Sequence, residues 1–264
     1  MDNRSLLGST FDKVASQYHQ ARPRYPSGLF SDLVDATGLM PRHRLLEVGS
    51  GTGIATIPLA RMGFDITCIE PGTALVEEAK KNLASSKVRF INATFEDWQP
   101  TDAQTFDLVY SATAWHWTDP ETRYRRAADV LRAGGYLAFW SALHVFPDDG
   151  DSFFKDIQPV YEEIGERLPV DAAWPRPGEL VDQSEEVSDS GFFDPVLVRH
   201  YDWETAMDAE TYINLLNTFS GHIAMADWQR DKLFSEIRRR ISQRQIPAVR
   251  RHWGCALHVA QLKR

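Results

Sequence analysis

The sequence predicts an α/β fold built on a mostly parallel sheet, and three observations predict it. Residues 45–48 form a short apolar run that ends in Gly49-Ser50-Gly51-Thr52-Gly53, a strand feeding a glycine-rich turn. Residues 64–70 form a second strand-like run closed by a carboxylate, Glu70. From there to Ser141, apolar runs alternate with stretches of helical period, the pattern of a sheet layered with helices. Glycines at alternate positions let a backbone approach a ligand without interference from Cβ. An acid at the end of the next strand suits the paired hydroxyls of a ribose.

Each element can be justified in chain order. Phe11, Val14, Ala15 and Tyr18 fall at i, i+3, i+4 and i+7, which predicts an amphipathic helix over 10–20, capped by Thr10 with Asp12 in its first turn. Ala21-Arg22-Pro23-Arg24-Tyr25-Pro26 cannot continue that helix and runs extended. Residues 28–39 read as a second helix, and 54–62 open a third, provided that Pro58 lies near its first turn. Residues 72–85 place Leu75, Val76, Ala79 and Leu83 on one helical face, and 88–93 form a third strand. Residues 106–111 form a fourth, and a helix over 121–132 is stopped by Gly134-Gly135 before a fifth at 136–141. Beyond it come a helix at 151–166, a polar run at 182–190 and a sixth strand at 196–203. Helices at 209–219 and 227–241 and a last strand at 253–262 complete the chain.

Composition narrows the function. The 264 residues are 43% hydrophobic and 25% charged, as in a globular protein. A net charge of −8, from 29 basic and 37 acidic residues, argues against a broad nucleic-acid face. Arg238, Arg239, Arg240, Arg244, Arg250 and Arg251 read instead as a solvated helix end and turn. No apolar run reaches membrane-spanning length, and the first residues lack the apolar core of a signal peptide. Cys68 and Cys255 sit in strand-like runs and read as buried thiols, which suits a reducing, cytoplasmic setting. No metal-ligand spacing appears, so no metal is expected.

Two motifs carry a resemblance. Glu47-Val48-Gly49-Ser50-Gly51-Thr52-Gly53 resembles motif I of the class I S-adenosylmethionine-dependent methyltransferases, and its Gly-x-Gly-x-Gly spacing disfavours a nicotinamide oxidoreductase. Phe11, Asp12, Ala15, Tyr18, Arg22, Pro23, Tyr25 and Pro26 match the N-terminal lid of a small-molecule group, the type 11/25 enzymes similar to trans-aconitate methyltransferases. Residues 130–135 resemble the turn before strand five in these enzymes, so the likeness runs from 11 to 142.

The resemblance implies a Rossmann-like fold, with a seven-stranded, mostly parallel sheet and an antiparallel closing hairpin. It divides the chain into a lid (1–30), a cofactor-binding core (31–142), a helical cap (143–194 and 204–245) and closing strands (195–203 and 246–264). It implies S-adenosylmethionine as cofactor and S-adenosylhomocysteine as product. Tyr18, Arg22, Glu47, Gly49, Ser50, Gly51, Gly53, Glu70, Pro71, Thr94, Phe95 and Ser111 are the expected cofactor contacts. Arg22 would meet the methionyl carboxylate; Ala93-Thr94 replaces the usual Asp-Ala pair at the adenine. Tyr25, Trp115, His116, Trp117, His144, Tyr212 and His222 are expected to face the acceptor, with His116 as the candidate base. A small acid methylated on a carboxylate oxygen is the favoured acceptor, with nitrogen or a phenol oxygen as the alternative. A protein that holds the nucleoside without a transfer reaction is the rival outside enzymes. A small-molecule partner is expected, without nucleic acid or membrane, in a monomer or homodimer.

Overall fold

The computed structural model describes residues 15–84, 86–100, 105–166 and 174–264. The strands are β1 (Arg44–Val48), β2 (Asp65–Ile69), β3 (Arg89–Ile91), β4 (Phe106–Ala112), β5 (Leu131–Trp140), β6 (Ala142–His144), β7 (Phe193–Met207) and β8 (Val249–Leu262). They form one sheet in the order β3-β2-β1-β4-β5-β8, with β7 along the outer side of β8. All pairs from β3 to β5 are parallel, and all pairs to β8 are antiparallel. The expected seven strands become eight because the fifth is broken at Ser141. Phe139 faces His258 and Ala142 faces Cys255, so the register on β8 runs unbroken from β5 into β6.

The helices are α1 (Ala15–Ala21), α2 (Ser27–Thr37), α3 (Thr56–Arg61), α4 (Thr73–Asn82), α5 (Arg123–Val130), α6 (Phe153–Asp156), α7 (Gln158–Glu163), α8 (Ser184–Asp189), α9 (Ala209–Leu216), α10 (Ser220–Ala224) and α11 (Asp227–Ser242). Pro58 is the third residue of α3, inside the first turn, where its missing N–H costs nothing. Thr10, Phe11, Asp12 and Val14 lie outside the described residues, so the helix expected over 10–20 is described only from Ala15.

Several expectations need correction. Gly134-Gly135 does not stop a helix: α5 ends at Val130, β5 begins at Leu131, and the glycines lie inside β5 at a register shift opposite β4. At Gly135 an added Cβ would lie 3.0 Å from the Arg132 carbonyl oxygen, so glycine is what lets the strand bend there. The helix expected at 151–166 is two short helices, with Pro159 in the first turn of the second. The polar run at 182–190 contains α8. The paired closing strands are longer than the runs at 196–203 and 253–262 predict: β7 has 15 residues and takes in 204–207, expected in the cap, and β8 has 14 and takes in 249–252.

Three large cores hold these layers. On one sheet face Leu29, Phe30, Leu33 and Leu59 pack on Leu45, Ile66, Tyr110 and Trp140. On the other, Trp115, Tyr124 and Ala127 pack on Leu46, Val109 and Phe139. A third core joins α6, α7, α9 and α11 to Val249 and Trp253 of β8, and makes a helical unit above the last strand.

Candidate active site

Parallel strands leave their carboxyl ends on one side of the sheet, and ligands bind there where the strand order reverses. Here the reversal lies between β1 and β4, beside a cleft of about 1230 Å³. The glycine turn makes its floor. Gly49, Gly51 and Gly53 all have positive φ, at 69°, 53° and 84°. A Cβ on Gly49 would lie 2.4 Å from the Ala114 Cβ, whereas one on Gly51 would meet nothing within 4 Å. Gly49 therefore lets two loops touch, and Gly51 leaves open space that a side chain would fill.

Two carboxylates flank the turn. Glu70 accepts from the Gly51 N–H (2.8 Å) through Oε2 and from the Gly72 N–H (2.8 Å) through Oε1. Glu47 is 1% exposed, and its Oε2 accepts from Thr56 Oγ1 (2.5 Å) and the Tyr110 hydroxyl (2.7 Å). Burial pushes the Glu47 carboxyl up to about 7, against the pull of those hydrogen bonds. Ser50 Oγ is buried beside them with no hydrogen-bond partner of its own among the described residues. An open Gly51, an orphan hydroxyl and a carboxylate beside the loop fit the sugar and amino-acid portions of a nucleoside cofactor.

The N-terminal segment closes one side. Tyr18, Arg22 and Tyr25 all line the cleft. Arg22 donates to Thr218 Oγ1 (2.9 Å) and the Thr218 carbonyl (2.7 Å), and its guanidinium lies 4.8 Å from the Tyr18 ring and 4.4 Å from Phe219. The residue expected to meet the cofactor's carboxylate is thus also the tie between the N-terminal segment and the helical unit. Tyr25 shares a hydrogen bond with Thr113 Oγ1 (2.7 Å), and burial raises its phenol far above the usual range. Thr113 itself sits at φ 57°, a left-handed conformation that costs a β-branched residue about 1–3 kcal/mol. Three bonds fix it: to Tyr25, from its N–H to the Trp140 carbonyl (2.7 Å), and from the Ala142 N–H (3.2 Å). Nothing in the sequence marks Thr113.

Pro71, Thr94, Phe95, His116 and Trp117 also line the cleft. Thr94 is occupied locally, donating to Asp97 Oδ2 (2.8 Å) and accepting the Asp97 N–H (3.0 Å). Phe95 is mostly core, tilted against Trp115 beneath the Arg126 guanidinium. His116 and Trp117 stand on a 3₁₀ turn (Trp115–Trp117), their rings 5.0 Å apart. Burial first, and the Arg123 charge second, lower the His116 pKa, so its imidazole is neutral at pH 7.

Gly53 does not line the cleft but turns to Leu83, whose Cδ1 an added Cβ would meet at 2.8 Å. Five other expected contacts also lie elsewhere. Ser111 is fully buried in β4 and donates to the Val48 carbonyl (2.9 Å), a staple between strands. Trp115 packs on Phe139 at 5.7 Å in the second core. His144 turns to Phe154 and Trp174, and burial pushes it down to about 3. Tyr212 packs between Phe153 and Phe154. His222 pairs with the Tyr161 hydroxyl (2.9 Å), and burial lowers it to about 4. In each case an aromatic or hydroxyl group found an apolar layer or a strand neighbour before it found the cleft. Phe219, Ser220 and Trp140, by contrast, line it. Among the described residues no group of His, Cys, Asp and Glu is placed to hold a metal ion, and no helix is long and apolar enough to cross a membrane.

Residues 46–139 match the family model described as "Methyltransferase domain". The chain is 30% identical over 169 residues to "Probable S-adenosylmethionine-dependent methyltransferase CRG1" of Saccharomyces cerevisiae, across 62% of this chain and 56% of that protein. It is 29% identical over 146 residues to the human "Thiol S-methyltransferase TMT1B", across 52% of this chain and 59% of that protein. The chain thus spans little more than half the length of these relatives. The fold is that of an S-adenosylmethionine-dependent methyltransferase from Thiobacillus denitrificans solved with S-adenosyl-L-homocysteine, at TM-score 0.54 and 16% identity over 95% of this chain and 97% of that one.

Proposed function

We propose that this chain, whose core belongs to the class I S-adenosylmethionine-dependent methyltransferases, moves a methyl group from that cofactor to a small molecule. The observation that carries this reading is the open position at Gly51 beside the Glu70 carboxylate, on the floor of a cleft with room for a second ligand. Glu70 would hold the ribose, the Gly49–Gly53 turn and Ser50 the amino-acid end, Arg22 its carboxylate, and Pro71, Thr94 and Phe95 the adenine side. Bound there, the sulfonium supplies a methyl already activated for displacement. The chain's own work is then alignment of the acceptor and exclusion of water. Tyr25, Thr113, His116 and Trp117 line the cleft beyond the glycine turn and would place the acceptor.

The favoured acceptor atom is a carboxylate oxygen. A carboxylate is ionised at pH 7 and needs no base, which agrees with a His116 whose lowered pKa makes it a weak one. A nitrogen or phenol acceptor would need that base, and the thiol-methylating relative keeps sulfur on the list to test. In this reading residues 1–30 act as lid, and 143–194 with 204–245 as substrate cap.

The test is transfer of isotope-labelled methyl from S-adenosylmethionine to a panel of carboxylates, amines, phenols and thiols, read by mass spectrometry. A labelled ester with matching S-adenosylhomocysteine is the expected outcome. Cofactor binding without transfer to any class would favour a protein that only holds the nucleoside.

A further inference from the structure

The walls of the cleft change character along its length. Arg22 is the one lysine or arginine that lines it among the described residues, and the proposed function assigns its charge to the cofactor's carboxylate. Five carboxyl groups line the same space: Glu47, Glu70, Glu96, Asp119 and Glu179. His116 and His258 line it too, and burial, as the largest cause, lowers the pKa of each, so neither imidazole adds a positive charge at pH 7. An acceptor with two or three ionised acids would enter a field of its own sign and meet no second lining cation.

The end of the cleft away from the glycine turn is apolar, and the chain holds it so. Segment 175–183 is fastened at three points to the chain around β6 and β8. The Phe146 N–H donates to the Pro175 carbonyl (2.9 Å), Leu180 packs with Val145 and Ala256, and the Gln183 N–H donates to His258 Nε2 (3.0 Å). Val181 lies between the last two anchors and is nevertheless 79% exposed. Leu143, held in β6 opposite Gly254, is 48% exposed. Both line the cleft. A lone exposed aliphatic needs no explanation. Two of them, fixed on separate elements at the edge of one cleft, leave an apolar surface for a ligand to cover.

We propose that the acceptor carries an uncharged, apolar body that lies against Leu143, Leu180 and Val181, whichever of its atoms takes the methyl. This rests on the methyl-transfer reading above and narrows it, because a small polyacid of the trans-aconitate kind does not match these walls. The polar cofactor occupies the glycine-turn end. The body of the acceptor runs from the transferring methyl out over the apolar rim, and water leaves both surfaces.

The test uses the whole chain loaded with S-adenosylhomocysteine. The straight-chain alcohols hexanol, octanol and decanol are the neutral probes, and propane-1,2,3-tricarboxylate is the polyacid. Calorimetry should show affinity rising roughly fourfold with each methylene buried, and no binding of the tricarboxylate at the same concentrations. The double variant Leu143→Ser/Val181→Ser changes only exposed side chains, so it should melt with the wild type and bind S-adenosylhomocysteine within twofold. It should bind decanol roughly tenfold more weakly or worse. The chain-length series needs no variant, so it decides the matter even if the double substitution disturbs the fold. Affinity that does not grow with chain length, tricarboxylate bound as tightly as decanol, or unchanged decanol affinity in the folded variant would overturn the proposal. So would competition between decanol and S-adenosylhomocysteine, which would put the probe in the cofactor's own half. Failure of the wild type to bind S-adenosylhomocysteine at all would instead strike the methyl-transfer reading.

Discussion

Glu47 and Glu70 line one cleft and do opposite things. Glu70 takes backbone N–H groups from both sides of its strand end, so it fixes the glycine turn, besides the ribose contact proposed for it. Glu70→Ala therefore removes two amide partners together with the ribose acceptor, and should weaken cofactor binding by more than the roughly tenfold of one charged hydrogen bond. Calorimetry with S-adenosylhomocysteine and its 2′-deoxy analogue separates the parts. The sugar contact is the share of the loss that the analogue already lacks in the wild type. Glu47 is a buried acid raised to about 7. A carboxyl whose folded pKa exceeds its unfolded value stabilises the fold fully below the unfolded pKa near 4.5, and that stability is lost as pH rises through 7. Glu47→Gln keeps an oxygen for Thr56 and Tyr110 but cannot ionise. Its stability should match the wild type near pH 4 and exceed it at pH 8 by on the order of 2–3 kcal/mol. Urea unfolding across that range checks it, and parallel curves would rule out Glu47 as the titrating group.

Among the elements, α1 depends most on what surrounds it. A helix of seven residues is not stable alone, and side chains hold it here. His19 Nδ1 lies 3.0 Å from Thr52 Oγ1 of the glycine turn and 2.9 Å from Asn82 Nδ2 of α4, while Arg22 reaches Thr218. A ligand on the turn should steady Thr52 and with it α1. Amides of residues 15–21 should exchange more slowly once S-adenosylhomocysteine is added, and Arg22→Ala should reduce that protection. Equal exchange with and without ligand would mean that α1 is fixed core rather than a lid. The closing hairpin is the opposite case. At Gly254 an added Cβ would lie 2.5 Å from Val145 Cγ1 and 3.2 Å from Asp202 Oδ1. Gly254→Ala should cost about 1–3 kcal/mol of stability with little effect on cofactor affinity, read by unfolding and calorimetry on the same sample.

Over the whole molecule, the cofactor half was legible in the sequence and the acceptor half was not. Strand, glycine turn, helix and acid are contiguous in the chain, and local rules fix each one: Gly49 to Gly53 by positive φ, Glu70 by its place at a strand end. The part of the cleft proposed for the acceptor is lined by Tyr25, Thr113, His116, Leu143, Val181 and Phe219, residues far apart in the chain that meet only in the fold. His144, Tyr212 and His222 have side chains suited to a site, yet packing turned them into the third core and its edge. Arg251 shows the converse: in sequence it is one more basic residue in a run, and only the rings around it reveal a buried charge. In the proposed function the glycine turn joins the two halves, because the cofactor would lie on it before any acceptor could meet the methyl group. Titration of S-adenosylhomocysteine into the wild type and into Gly51→Val therefore reaches the whole argument at once. The wild type should bind one equivalent, and Gly51→Val, folded by circular dichroism, should show no binding, because a branched side chain at φ 53° fills the space at the turn. Equal affinity in the two proteins, or none in the wild type, would contradict the placement of the cofactor and everything built on it.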